Sequence, residues 1–349
     1  MKNIDRKYDV IVIGSGIGGL VTASQLASKG VKVLVLEKYI IPGGSGGSFK
    51  RKGYTFDVGA SMIFGFGEKG YTNLLTRALR DVNEKCETIP DPVQLEYHLP
   101  NDFNIAVDKS FNKFLNKLSA RFPEEKTGIK SFYKKCEEVF NCLDSMPLLS
   151  IEDPTYLLKV FFKSPLSCLG LAKWLPINAG DVARKFIKDP ELLRFIDIEC
   201  FCWSVMPAIK TPMINAGMVF TDRHVGGINY PKGGVGVIAE KLVNGLKKLG
   251  SEIRYKANVK EIIIKENHAV GVKLGNGEEI FASTIVSNST RWDTFGLENK
   301  NSLVNKKFLP KRERKWSKSY KPSPSFVSLH LGIDKKGIDC DFNCHHIIV

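Results

Sequence analysis

No run of about 18 uninterrupted apolar residues occurs in the 349 residues, which excludes a helix of ordinary bilayer-spanning length. The polar start MKNIDRK passes straight into YDVIVIG, without the apolar core and small-residue cleavage site of a signal peptide. The expectation is therefore a cytoplasmic chain without a membrane span. C-x-x-C is absent, which excludes a paired-thiol redox centre. The eight cysteines (Cys86, Cys136, Cys142, Cys168, Cys200, Cys202, Cys340 and Cys344) are scattered, as reduced thiols are, rather than arrayed as a disulfide framework. G-x-S-x-G does not occur between a strand and a helix, and no local motif assembles a Ser/His/Asp triad.

Acidic residues are in short supply, 37 against 51 basic ones, so the formal charge of +14 attracts anions. Nucleic acid is not the expected partner. The densest basic block, KKFLPKRERKWSKSYK at 306–321, carries only Phe308, Trp316 and Tyr320 as aromatics and matches no nucleic-acid module. It reads first as a solvated basic face, with attraction to an anionic membrane surface as the functional alternative. What the chain has is 43% hydrophobic content, enough to bury a core in roughly two domains of about 100–200 residues each.

It also has two glycine runs close together. YDVIVIGSGIGGLVTASQLASKGVKVLVLEK reads as strand, glycine turn, helix and second strand ending in an acid. In the G-x-G-x-x-G of this unit, Gly14 allows the tight turn. Gly16 lets the backbone approach a diphosphate, and Gly19 lets helix and strand pack closely. N–H groups at the helix start hold phosphates, and Glu37, 18 residues after Gly19, accepts from ribose hydroxyls. NAD and FAD share this ADP half. The second run, Pro42 with Gly43, Gly44, Gly46 and Gly47, separates them, because it keeps the chain irregular where an NAD domain continues into a helix. Such a loop can fold back on the diphosphate and pass beneath a flavin ring.

GSGIGG and EKYIIPGGSGGSF, followed by GYTFDVGAS and FGFG, resemble the FAD-dependent carotenoid desaturase and isomerase family over essentially the whole chain. The resemblance implies an α/β fold: an FAD-binding Rossmann-like domain of amine-oxidase/phytoene-desaturase type, with an inserted α+β substrate domain. It implies a cofactor site at Gly14, Ser15, Gly16, Gly19, Glu37, Lys38, Gly43, Gly44, Ser45, Gly59 and Val259, the last through a backbone that meets adenine. Many members carry an arginine where this chain has Ser45, which leaves one phosphate contact open.

From Asn83 the grammar changes. PVQLEYHL and FNIAVD read as strands of a separate sheet, and SFNKFLNKLSARF and KTGIKSFYKKCEEVFNCLDSM have helical spacing with one apolar face. TYLLKVFFKSPLSCLGLAKWLPI, broken by Pro165 and dotted with Lys159, Lys163 and Lys173, reads either as an amphipathic pair for a membrane surface or as ordinary helix packing. INYPKGGVGVIAEKLVNGLKKLG then opens a helix from a glycine turn, and the resemblance implies that ASTIVSN is a strand leading toward the cofactor. The expected organisation is 1–82 and 225–292 for the two parts of the FAD domain, 83–224 for the substrate domain, and 293–349 for its continuation, with SFVSLHLGID as a strand. Val349 closes the run HHIIV in mid-strand, whereas the family's chains continue into a further glycine-rich motif, so a shortened chain is expected.

Cys340, Cys344, His345 and His346 invite a metal reading, since thiolate and imidazole bind zinc. Adjacent strand residues point to opposite faces and no second ligand pair is apparent, so no metal is expected. Cys200 and Cys202 read as packing residues. Asp57 reads equally as a support of the cofactor loop through backbone N–H groups or as a turn-stabilising residue.

Catalytic side chains are not assigned, because a flavin carries the chemistry and the protein positions substrate. The resemblance implies cis-to-trans isomerisation of poly-cis carotenes such as prolycopene, without net redox change and with reduced FAD as the active form. A carotene desaturase or saturase, and a non-catalytic flavin-binding partner, stand as alternatives. The implied partners are an oily carotenoid, a membrane surface touched peripherally and other enzymes of the same pathway, in a cytoplasmic or plastid-like compartment.

Overall fold

In the computed structural model the chain is described over residues 7–68, 70–89, 93–147, 153–296, 302–319, 325–333, 336 and 345–349. Cys340, Cys344 and Tyr320 lie outside the described residues. The chain divides into two compact units: 1–61, 76–89 and 230–334 in one, and 62–75, 90–229 and 335–349 in the other.

The first unit is built on a six-stranded sheet. The strand Tyr8–Ile13 lies at its centre, parallel to Val33–Leu36 on one side and to Glu279–Ser287 on the other. Beyond Val33–Leu36 lies the parallel strand Glu252–Arg254, and beyond Glu279–Ser287 the antiparallel strands His268–Leu274 and Val259–Lys265. Alternation sorts the central side chains onto two faces. Val10, Val12, Val33 and Val35 pack with Ala23 and Ala27 of the helix Ile17–Ala27 and with Leu246 of the helix Gly236–Lys248. Ile11, Ile13, Leu34 and Leu36 face Val259, Ile262 and Val272. Covered on both faces, these strands read as continuous apolar runs, which is why the sequence shows no alternation there. A hairpin, Ser48–Arg51 with Tyr54–Asp57, turns through Lys52 and Gly53, both at positive φ as a type I′ turn requires.

The second unit holds a three-stranded sheet with Val93–Leu99 in the middle, antiparallel to Phe103–Asp108 and parallel to His345–Ile348. Phe103, Ile105 and Val107 alternate into an aromatic-rich core with Phe114, Phe132, Tyr133, Phe195 and Phe220. The helix Lys126–Asp144 buries Ile129, Phe132, Tyr133, Cys136, Val139, Phe140 and Leu143, one stripe at helical spacing. Gly217 lets the helix Met213–Val225 approach it closely, since a Cβ there would stand 2.7 Å from Val139. At the centre of this core the Arg223 guanidinium and the Glu199 carboxylate form a wholly buried pair, and the Tyr133 hydroxyl donates to Glu199 at 2.7 Å. Removing one partner of such a pair costs about 3–5 kcal/mol, because the other charge is left in apolar surroundings.

Two expectations are corrected. The described residues of 293–333 belong to the first unit, not to the substrate part, and bonds such as Ile262 N–H to the Leu303 carbonyl hold the segment around Leu303 against its sheet. The stretch 325–333 is not a strand; it runs beside the Ser48–Asp57 hairpin, where His330 bonds the Asp57 carbonyl at 2.7 Å. Among the described residues no helix is long and apolar enough to cross a membrane.

Candidate functional site

The two glycine runs meet. Gly43 N–H donates to the Ser15 carbonyl at 2.8 Å, and Gly16 and Gly43 form an isolated parallel bridge. Gly43 and Gly44 hold φ of 106° and 58°, which turns the second run back onto the first. A Cβ on Gly44 would stand 3.3 Å from the Gly16 Cα. The runs therefore form facing walls, and a side chain at either would fill the gap between them.

Between them opens a cleft of about 1230 Å³, contained in the first unit. Its floor includes Gly14, Gly16, Gly43, Gly44 and Ser45. Glu37, Lys38 and Val259 stand along it, with Asn288 and Lys306. This exceeds the roughly 300–1,000 Å³ of a drug-sized pocket and suits an extended dinucleotide. The helix Ile17–Ala27 begins here on Gly16, with no side-chain cap and no acid in its first turn. Its first N–H groups have no intrahelical acceptor, and the helix dipole places positive potential there.

Glu37 directly follows the second strand, 6% exposed. Its Oε2 accepts from Ser15 N–H at 2.8 Å and from the Ser15 hydroxyl at 2.7 Å, and its Oε1 accepts from Tyr39 N–H at 2.8 Å. An ionised carboxylate offers about four acceptor positions, so Oε1 keeps room for a hydroxyl donor. Backbone donors, a glycine cradle and a carboxylate with one position to spare fit the diphosphate and ribose of an ADP-containing cofactor.

Not every expected site residue reaches the cleft. Ser15 is fully buried and spends its hydroxyl on Glu37. Gly19 serves packing, since a Cβ there would stand 2.2 Å from the Gly14 carbonyl oxygen. Gly59 lies behind Ser45, next to its carbonyl and the Phe326 ring. Asp57 accepts from the Ser48 hydroxyl at 2.6 Å, from Val235 N–H at 2.8 Å and from the Tyr230 hydroxyl. It thereby ties the hairpin to the start of the helix Gly236–Lys248. Burial, then the bond to Asp57, raises the Tyr230 phenol well above its ordinary range.

Asn288 went unassigned in the sequence reading although it closes ASTIVSN. Its N–H donates to the Ile13 carbonyl at 2.8 Å, and its side chain lies against the space left by Gly16, Gly18 and Gly19. An amide directly after a strand paired to the glycine strand was the available signal. Lys306 was missed because 293–349 had been assigned elsewhere.

The thiols near Glu199 are unsuited to nucleophilic chemistry at neutral pH. Burial, then the Glu199 charge, pushes Cys200 up to about 12 and Cys202 up to about 11. The six described cysteines are free.

The family model for flavin containing amine oxidoreductase matches residues 17–336. Over 344 residues the chain is 57% identical to the chloroplastic prolycopene isomerase of Daucus carota, covering 99% of this chain and 55% of that protein. It is 55% identical over 342 residues to the chloroplastic prolycopene isomerase of Arabidopsis thaliana, covering 98% and 57%. The chain thus spans little more than half the length of the curated relatives it matches. Among solved structures, an oxidoreductase from Methanosarcina mazei superposes with a TM-score of 0.62 at 18% identity, covering 90% of this chain and 66% of that one, and this likeness shows the fold alone. A mixed sheet with a glycine cradle following its central strand, and a family match over most of the residues that build it, lead to one conclusion: the chain belongs to the flavin containing amine oxidoreductase family.

Proposed function

We propose that the chain carries the FAD site of an isomerase that converts poly-cis carotenes, prolycopene above all, to the all-trans form without net redox change. The single observation that carries this reading is 55–57% identity to proteins named prolycopene isomerase over 98–99% of this chain.

When bound and reduced, FAD supplies an electron-rich ring able to weaken a polyene double bond reversibly. The residues of this chain do the holding. Backbone N–H groups at Gly16, Gly44 and Ser45 take the diphosphate, Gly43, whose N–H is bound to Ser15, walls the cradle, and Glu37 takes a ribose hydroxyl. Lys38 lies beside it at the cleft mouth, and the Val259 backbone meets adenine, where a register shift between Val259 and Glu261 turns one peptide out of the ladder. Ser15 and Gly19 act one layer behind, fixing Glu37 and the turn, and Gly59 backs Ser45. No side chain is assigned to proton transfer.

The reading includes a membrane surface as the source of the oily substrate. The helices Pro154–Lys163 and Pro165–Ala172 expose Leu158, Phe162, Leu166 and Leu169 beside Lys159 and Lys163. Apolar side chains ringed by cations suit the headgroup layer of an anionic bilayer. A plastid compartment and neighbouring enzymes of the carotenoid pathway belong to the same proposal.

The test is an anaerobic assay of the full-length protein with photoreduced FAD and a poly-cis carotene. An all-trans product of unchanged mass supports isomerisation. A gain or loss of two hydrogens identifies a saturase or desaturase, and conversion by the oxidised enzyme alone removes the reduced-flavin part.

A further inference from the structure

In the second unit the strand His345–Ile348 lies parallel to Val93–Leu99, with His346 paired to Glu96. Residues two apart on a strand share a face, so His98 stands beside Glu96 and next to His346. The candidate ligand atoms of Glu96, His98 and His346 all lie within 4.8 Å of one another, the first two half-buried and the third exposed. The residues adjacent to His346 in sequence offer no second ligand pair; the neighbouring strand provides it.

The partners suit one tautomer. His98 Nδ1 lies 3.0 Å from the Asn104 amide oxygen, a contact that the tautomer with its hydrogen on Nδ1 satisfies. In the neutral ring the Nε2 lone pair then points at His346 Nδ1, 2.9 Å away. Metal-bound histidines are commonly held in this way, one ring N–H donated to an oxygen and the other nitrogen aimed at the ion. Once His346 carries its hydrogen on Nε2, two lone pairs converge. Imidazole nitrogens about 2.0–2.1 Å from a tetrahedral zinc stand roughly 3.3 Å apart, close to the separation found. Glu96 Oε2, 4.0 Å from His346 Nδ1, is a third and charge-neutralising ligand.

We propose that Glu96, His98 and His346 form a site for one divalent cation of the zinc class, clamping the strand His345–Ile348 to the sheet, with water completing the coordination. Two imidazoles with one carboxylate favour such an ion over calcium or magnesium, which prefer oxygen-only sets.

Zinc is titrated calorimetrically into chelator-treated full-length protein, wild type and the variants His98→Ala, His346→Ala and Asn104→Ala, each checked by circular dichroism. The wild type is expected to bind one zinc per chain at this site. Affinity should fall at least tenfold in His346→Ala and His98→Ala, and about 10–100-fold in Asn104→Ala, which keeps every ligand but frees the His98 ring. His346 is exposed, so its variant keeps the fold and serves as the decisive arm. Wild-type protein taking up no zinc at micromolar concentrations, folded His346→Ala binding zinc as the wild type does, or calcium binding as tightly as zinc would each overturn the proposal.

Discussion

Ser15 grips one oxygen of Glu37 from two sides, its N–H at 2.8 Å and its hydroxyl at 2.7 Å. The contact ties the turn after the first strand to the end of the second, so the acid is positioned before any cofactor arrives. A hydrogen bond to a charged group contributes about 1.5–3 kcal/mol. Glu37→Gln loses the charge and turns one acceptor into a donor facing Ser15. It is expected to weaken FAD binding by roughly 10–100-fold in a fluorescence titration, while Ser15→Ala, which keeps the backbone donor, loses about tenfold or less. Equal affinity for wild type and Glu37→Gln would mean that the acid is only structural.

The glycines of the first turn separate by function. A Cβ at Gly19 would stand 2.2 Å from backbone, whereas one at Gly16 meets the movable Asn288 amide at 2.9 Å. Gly19→Ala is therefore expected to destabilise the protein by about 1–3 kcal/mol or more through overpacking. Gly16→Ala should melt within a few degrees of the wild type yet bind FAD at least tenfold more weakly. Thermal melts paired with flavin titration check both, and the reverse order of effects would contradict the assigned roles.

Two groups of the second unit, the buried Asp222 and the half-buried His224, give opposing pH dependences. Burial, then the neighbouring Arg223, pushes His224 down to about 3, and its ring accepts from Arg223 Nε at 3.2 Å. Between about 3 and the ordinary value near 6.5 the unfolded chain binds a proton that the folded one does not, so this contribution is full above about 6.5 and is lost as pH falls. Burial pushes Asp222 up to about 6, so its contribution is full below about 3.9 and is lost as pH rises through 6. The two oppose each other from about pH 4 to 7, and between pH 6 and 7 the rise from His224 outweighs the remaining fall from Asp222. Urea midpoints of the wild type should rise from pH 6 to 7, whereas those of His224→Asn should not. Parallel curves would remove His224 from the account.

Phe162 and Leu166 are 75% and 84% exposed at the junction of the two short helices. Burying an apolar side chain of this size contributes about 1.5–3 kcal/mol. The double variant Phe162→Glu and Leu166→Glu should bind anionic vesicles on the order of 100-fold more weakly in a flotation assay, with its melting temperature nearly unchanged. Undiminished flotation would place the membrane contact elsewhere.

Much of the cofactor end was legible because its chemistry is local. Tyr8–Ile13, the glycine turn, its helix and Val33–Leu36 are contiguous, and each signal has a backbone reason. The sequence suggests a second glycine run that folds back on a diphosphate; its contact with the first run is seen only in the structure. The roles of Ser15 and Gly59 were not legible, since a buried hydroxyl and a cofactor-facing one look alike in sequence. The described residues of 293–333 were misplaced for the same reason that the cluster of Glu96, His98 and His346 was missed. Both depend on pairing between segments far apart in the chain, Ile262 with Leu303 and Glu96 with His346, and no local period records such pairing.

The most direct measurement titrates the purified full-length protein with FAD and with NAD, following flavin absorbance and fluorescence for one and calorimetry for the other. One FAD bound per chain, much tighter than NAD and weakened at least tenfold by Gly16→Ala, is the predicted result. Stoichiometric NAD with no flavin retained, or FAD bound equally by Gly16→Ala, would contradict a flavin held between the two glycine runs.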